Sequence, residues 1–144
     1  MTKDEADIRA IIADQAKALY AKDIDLLFAH NAAAVRSFDL APPLQHKGSA
    51  ADERAGTTSW FATWKGPIGW EDRDLVIAVG DRVAFSTALA HMTGTKVDGE
   101  DVSLWFRVTN GFVKENGTWK VVHIHHSVPF YMDGSFKACV DLKP

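Results

Sequence analysis

The chain has 144 residues, 47% of them apolar, with a formal net charge of −3. This is enough for one domain, residues 1–144, with a sizeable core, and without a Lys/Arg cluster the negative balance argues against a nucleic-acid partner, whose phosphates need concentrated positive charge. No stretch approaches the roughly 20 apolar residues of a membrane span; the single cysteine, Cys139, has no internal disulfide partner and MTKDEADIRA lacks the apolar core of a secretory signal, which together point to a cytoplasmic setting.

In chain order, Thr2 and Glu5 form a capping-box pattern, and Ile8, Ile11, Ile12, Ala16 and Leu19 recur at helical spacing. They predict an amphipathic helix over 3–21 whose apolar stripe needs a sheet to cover. Asp23 can cap a short second helix through Leu26, Leu27 and Phe28, and AAAVRSFDL then reads as a strand that ends at the Ala-Pro-Pro break, placing Asp39 at its end. Ser49 and Asp52 suggest the start of a third helix, which runs to Trp64 with Trp60 and Phe61 on its aromatic face before Lys65-Gly66-Pro67 stops it.

From residue 68 helix signals cease. IGWEDRDLVIAV, RVAFSTALAHMTGT, DVSLWFRVT and WKVVHIHHSVPF are separated by Gly80-Asp81, Asp98-Gly99 and Asn116-Gly117, the chemistry of antiparallel turns. Asn116-Gly117-Thr118 also matches a glycosylation acceptor, but without an export signal it reads as a turn. Gly111 reads as a bulge or kink that curves a long strand. Helices followed by a meander argue for an α+β domain, with helices packed on one face of a strongly curved antiparallel sheet.

Three helices, a strand ending in SFDLAPPLQ, a Trp-rich helix, WKGPIGWEDRDL, a strand with LWFRVT and the closing WKVVHIHHSVPF together resemble the SnoaL-like, ketosteroid isomerase-like branch of the nuclear transport factor 2-like superfamily. The resemblance spans nearly the whole chain. It implies a cone-shaped, cystatin-like fold, a bent sheet wrapped around a helix, whose open end is a pocket and whose outer face often forms a homodimer. Its members include isomerases, cyclases, dehydratases and hydrolases as well as binding and assembly domains, so the fold does not choose the function. Ketosteroid isomerase needs an Asp base and an oxyanion hole of a Tyr and a protonated Asp. The corresponding positions here fall on Gln15, near Arg36 unless the strand shifts to bring in Asp39, and near Asn110, a departure that argues against steroid isomerisation.

Four groups of residues carry candidate chemistry. Asp39 could act as a general base if burial raised its pKa, or could simply accept hydrogen bonds in the turn before Pro42-Pro43. His123, His125 and Ser127 alternate, so on a strand they share a face, either as acid/base groups and polar anchors or as satisfied core residues. Metal binding is not expected, since an HxH pair would need further ligands and only Asp39 or His91 are at hand.

For Arg107, the turn decides the neighbours. A three-residue loop at Glu115-Asn116-Gly117 pairs Lys114 with Thr118 and sets Arg107 opposite His125 and Thr109 opposite His123. That register, expected here over the two-residue turn, gathers Arg107, Thr109, His123, His125 and Ser127 on one face beside Trp105, in the pocket or at a dimer interface. Trp60 and Trp64 are expected as pocket walls, while Trp119 is assigned to packing.

The sequence thus points to a homodimeric protein that binds a small, partly apolar organic molecule in the cone. As an enzyme it would use Asp39 or His125 in cofactor-free acid/base catalysis of the isomerase or lyase type, with Arg107 and His123 polarising a substrate oxygen. The alternative is a non-catalytic ligand carrier or dimeric assembly module. His46 and His126 have no assigned role.

Overall fold

The computed structural model describes residues 1–47 and 50–144. Ser49, expected to help open the third helix, lies outside the described residues. Helix α1 (Lys3–Ala21) begins as its sequence dictates, with the Thr2 hydroxyl accepting from the Glu5 N–H at 3.1 Å. The Glu5 carboxylate, which a full capping box would turn back to Thr2, accepts from Arg9 at 2.9 Å. The same helix start is tied to the sheet: Asp4 accepts from Lys114 Nζ at 2.8 Å and from Trp119 Nε1 at 3.0 Å. Asp23 caps α2 (Ile24–Phe28) by accepting from the Leu26 N–H at 3.0 Å.

Strand β1 (Asn31–Phe38), helix α3 (Ala50–Phe61) and strands β2 (Trp64–Val79), β3 (Val83–Lys96), β4 (Asp101–Glu115) and β5 (Thr118–Ser127) complete the fold. The sheet order is β1-β5-β4-β3-β2, with β1 running parallel to β5 and every other neighbour antiparallel. The result is the expected α+β architecture, helices followed by a curved, open sheet, made mixed by β1. Ile8, Ile11 and Ile12 of α1 pack on Ala84, Phe112, Trp119 and Val121, so the helix lies in the concavity. Small side chains on the concave face of β3, Ala88 and Ala90, sit against Phe106 and Val108 of β4. Among the described residues no helix is long and apolar enough to cross a membrane.

Two expectations about local structure are corrected. The third helix stops at Phe61, not Trp64, because Thr63 turns the chain back with its N–H and hydroxyl both donated to the Trp60 carbonyl, at 3.0 and 2.7 Å. Trp64 instead opens β2 and points into the core, 3% exposed, with Leu19, Phe61 and Ile68. The β4–β5 hairpin also closes on two residues rather than three: Asn116 and Gly117 both have positive φ, 51° and 81°, and Glu115 pairs with Thr118. Asparagine tolerates that conformation, so the tight turn whose twist suits a hairpin needs no third residue.

An extra residue does enter the hairpin, farther along. Phe112 pairs with Val121 but Gly111 with His123, so Val122 is a bulge on β5. Gly111 faces it, and a Cβ there would lie 3.2 Å from His123 Cβ and 3.9 Å from Val122 Cγ2. The glycine supplies room for two side chains opposite one position. Beyond the bulge the pairs are Thr109 with His125 and Arg107 with Ser127, two residues along β5 from the expected partners and so still on the expected common face.

Gly94 of β3 supports the core in a similar way. A Cβ at that position would stand 2.8 Å from Cζ3 of the buried Trp64 ring, where the backbone φ of +155° also disfavours a side chain. Gly94→Ala is expected to lower stability by about 2 kcal/mol, the usual size of an overpacking cost, seen as a lower urea midpoint at unchanged slope.

Candidate functional site

The bulge decides which histidine looks inward. Past Val122 the concave face receives Ile124 and then His126, whereas His123, His125 and Ser127 take the convex face with Arg107 and Thr109. His126 packs against two aromatic rings, Phe106 at 5.2 Å and Trp70 at 5.5 Å between centroids. Its side chain is 22% exposed. Burial holds its pKa well below the ordinary value, at about 4, with the Asp39 carboxylate pulling the other way and His125 adding to the depression. At neutral pH His126 is therefore an uncharged imidazole with one N–H to donate and one lone pair to accept.

Asp39 follows the last residue of β1, and the chain after it folds back on that strand. Ser37 and His46 exchange two backbone hydrogen bonds, Ser37 N–H to His46 O at 3.0 Å and His46 N–H to Ser37 O at 2.9 Å. This bridge brings His46 Nε2 to 3.4 Å from Asp39 Oδ2, and His126 Nδ1 of β5 lies 4.0 Å from Asp39 Oδ1. A gap of 4.0 Å is too long for a direct hydrogen bond, and a single bridging polar atom would span it. A cavity of about 470 Å³ opens there, bounded by Asp39, His126, His125, Phe38 and the segment Leu40–Leu44.

A further acid interacts with this histidine and carboxylate group, and another lies beside Trp70. Glu53 of α3 interacts electrostatically with both His46 and Asp39, and its desolvated carboxyl has a raised pKa, with Asp39 adding to the rise and His46 opposing it. Its Oε1 is buried and finds no hydrogen-bond partner among the described residues. Glu53 also lines a second cavity, about 280 Å³, with Phe28, Asn31, Ala32, Ala33, Val35 and Arg54. On β2, Asp72 accepts from the Trp70 indole N–H at 3.1 Å, and burial raises its pKa against that bond.

The sequence candidates divide between two faces. Asp39 and His125 both border the larger cavity, with the edge of Phe38 against the His125 ring at 5.1 Å between centroids. His123 is turned outward, donating through Nδ1 to the Arg36 carbonyl at 2.6 Å. Arg107 is exposed on the convex face and donates to Ser127 Oγ at 3.0 Å. Trp105 lies flat on His91, 4.3 Å between centroids and 5° between planes, with the Arg73 guanidinium 4.7 Å over its ring. Trp60 and Trp64 meet edge to face at 5.6 Å within the packed core around Ile68 and border neither cavity.

His46, Glu53 and His126 are the site residues that sequence reasoning missed. Strand alternation could not find His126 without the bulge, and His46 and Glu53 arrive from segments distant in the chain. Among the described residues no group of three or more His, Cys, Asp or Glu is arranged to hold a metal ion.

Residues 8–131 match the SnoaL-like domain family. The chain belongs to this family. Among solved structures, it is similar to a nuclear transport factor 2-like (NTF2-like) protein of unknown function from Pseudomonas putida KT2440. The two are 29% identical over 100% of this chain and 99% of the other, with a TM-score of 0.87. At 15% identity it shares the fold of a candidate dehydratase from the NTF2-like family of Streptomyces avermitilis, covering 86% of this chain and 95% of that one at a TM-score of 0.74. It likewise shares the fold of a cystatin-like protein from Caulobacter vibrioides, at 14% identity, 85% and 87% coverage and a TM-score of 0.71. No curated protein matches the chain.

The half-buried imidazole makes this SnoaL-like domain acid-sensitive in a defined window. Because the folded pKa of His126 lies below its ordinary value, the unfolded chain binds more protons between about pH 6.5 and 4. The contribution of His126 is thus complete above pH 6.5 and is lost as the pH falls toward 4. Between pH 8 and 5 it amounts to about 2 kcal/mol, and urea titrations at the two pH values should show that loss in the wild type and a markedly smaller one in His126→Gln.

Proposed function

We propose that this SnoaL-like protein binds a small, partly apolar organic molecule at the mouth of the cone and acts on it by acid/base chemistry. The carrying observation is the Asp39 carboxylate beside a neutral, half-buried His126, 4.0 Å apart at the edge of a cavity of about 470 Å³. In this reading Asp39 takes a proton from the ligand. His126 donates its N–H to the oxygen on which charge develops, in surroundings where a fixed donor acts more strongly than in water. His46 orients Asp39, and His125 stands at the rim. Proton transfers of this kind suffice for an isomerase or a lyase without a cofactor, and the fold shared with a candidate dehydratase supports that class.

A second reading, a dimeric assembly module, draws support from the convex face. Arg107, His123, Trp105 and Ser127 lie there rather than in the cavity, and Val76 and Phe85 on the same face are 58% and 51% exposed. The two readings are compatible in a homodimer that pairs through this face and leaves the mouth of each cone open.

Crystals soaked with a mixture of small alcohols and ketones test the first reading: density is expected within hydrogen-bonding distance of Asp39 or His126 and is expected to vanish in Asp39→Ala. Density confined to other surfaces would leave only the assembly role. For the second, light scattering on the eluting protein should give twice the chain mass, falling to one chain in Phe85→Lys. A wild-type monomer at high micromolar concentration would remove the interface.

A further inference from the structure

Trp70 reaches across the cone to meet His126. Strands β3 and β4 lie between β2 and β5, and His126 belongs to the inward-facing row of Val108 and Ala88, two rows from that of Trp70, Met92 and Leu104. Their rings nevertheless come within 5.5 Å between centroids, because the sheet curls and the indole packs on the small Ala88 and Ala90 together with Phe106 and Val108. One polar contact fixes the lean of that ring. Its N–H donates at 3.1 Å to Asp72 Oδ1, from the next inward-facing position of the same strand, in the intervening row of Ala90 and Phe106. The indole N–H is the hydrogen-bond partner of Asp72, and no cation is paired with this half-buried carboxylate among the described residues. Loss of solvent works against the Asp72 charge and the indole bond works for it.

We infer that Asp72 is a positioning residue: by holding the Trp70 indole across the hollow of the cone, it keeps that ring against His126 and keeps water away from the imidazole. The inference deepens the acid/base reading and rests on it for its consequence, since an N–H donor shielded from water acts more strongly on a developing charge than a hydrated one. A partly buried indole N–H seeks an acceptor, and without the Asp72 oxygen the ring would have to turn toward solvent to find one. Phe106, 5.2 Å from His126, supplies the other ring of the shield but has no polar tether of its own. The charged and titratable groups that bear on His126 are Asp39 and its chain neighbour His125, so Asp72 acts through the ring and not through its own charge.

The test titrates the His126 ring by NMR in the isotopically labelled full chain, without ligand, in the wild type, Asp72→Asn, Asp72→Ala and Trp70→Phe. The wild-type imidazole is expected to stay uncharged until the pH approaches about 4. Asp72→Asn keeps an oxygen that accepts the indole N–H, so its His126 should titrate with the wild type. Asp72→Ala frees the indole, and the His126 pKa should climb by at least about one pH unit toward the ordinary 6.5 as water enters. Removing a negative charge would by itself move that pKa down, so a rise reports hydration and not lost charge. Trp70→Phe, which keeps a ring and drops the donor, should give the same rise and so decides the question if Asp72→Ala does not fold. A wild-type pKa near 6.5, an unmoved pKa in Asp72→Ala or in Trp70→Phe, or a rise in Asp72→Asn as large as that in Asp72→Ala would each overturn the positioning role. Because no ligand takes part, soaked crystals with nothing at Asp39 or His126 would remove the acid/base reading and leave the titration result standing.

Discussion

The bulge at Val122 is the constraint on which the functional geometry depends. Trp119 and Val121 point into the core, and simple alternation from them would carry His123, His125 and Ser127 inward as well. One unpaired residue reverses that parity, and His126 enters the concavity between Trp70 and Phe106 while the other two histidines leave it. Gly111 on β4 makes the reversal sterically feasible, because it leaves the space that two outward side chains of β5 need. A local irregularity in one hairpin therefore determines which imidazole loses its water and which keeps it.

Desolvation then sets the chemistry of the mouth. His126 becomes a neutral imidazole because its charged form is poorly solvated beside aromatic rings, and loss of solvent likewise raises the pKa of Glu53 and of Asp72. Only Asp39, more open to water, balances these groups as a nearby carboxylate. Groups pushed toward their uncharged forms thus stand beside a carboxylate more open to water. The backbone bridge between Ser37 and His46 is what brings the arrangement together, by folding the Pro-rich segment back over the end of β1.

The convex face follows a different logic. Trp105, His91 and Arg73 form a stack across three neighbouring strands, and Arg107 is satisfied by Ser127 rather than by a carboxylate. Such residues remain partly hydrated, so their arrangement reflects cross-strand pairing rather than burial. The sheet thus separates two polar sets: one inside, held among aromatic rings, and one outside, available to another surface.

Much of this architecture was legible in the sequence because it depends on local patterns. The α1 cap and stripe, the Asp23 cap, the position of Asp39 at a strand end, the order of helices before meander and the common face of Arg107, Thr109, His123, His125 and Ser127 all follow from periodicity and turn chemistry, which act over a few residues. The side of the sheet that this common face occupies was settled only in the tertiary structure, since parity along β5 depends on a bulge that forms to fit Gly111 of another strand. Trp64 joined a strand rather than a helix, its ring packed with Leu19, Phe61 and Ile68 from three other places in the chain. The meeting of His46, Glu53 and His126 around Asp39 depends on long-range folding of a loop, a helix and two strand ends, and no spacing along the chain encodes it.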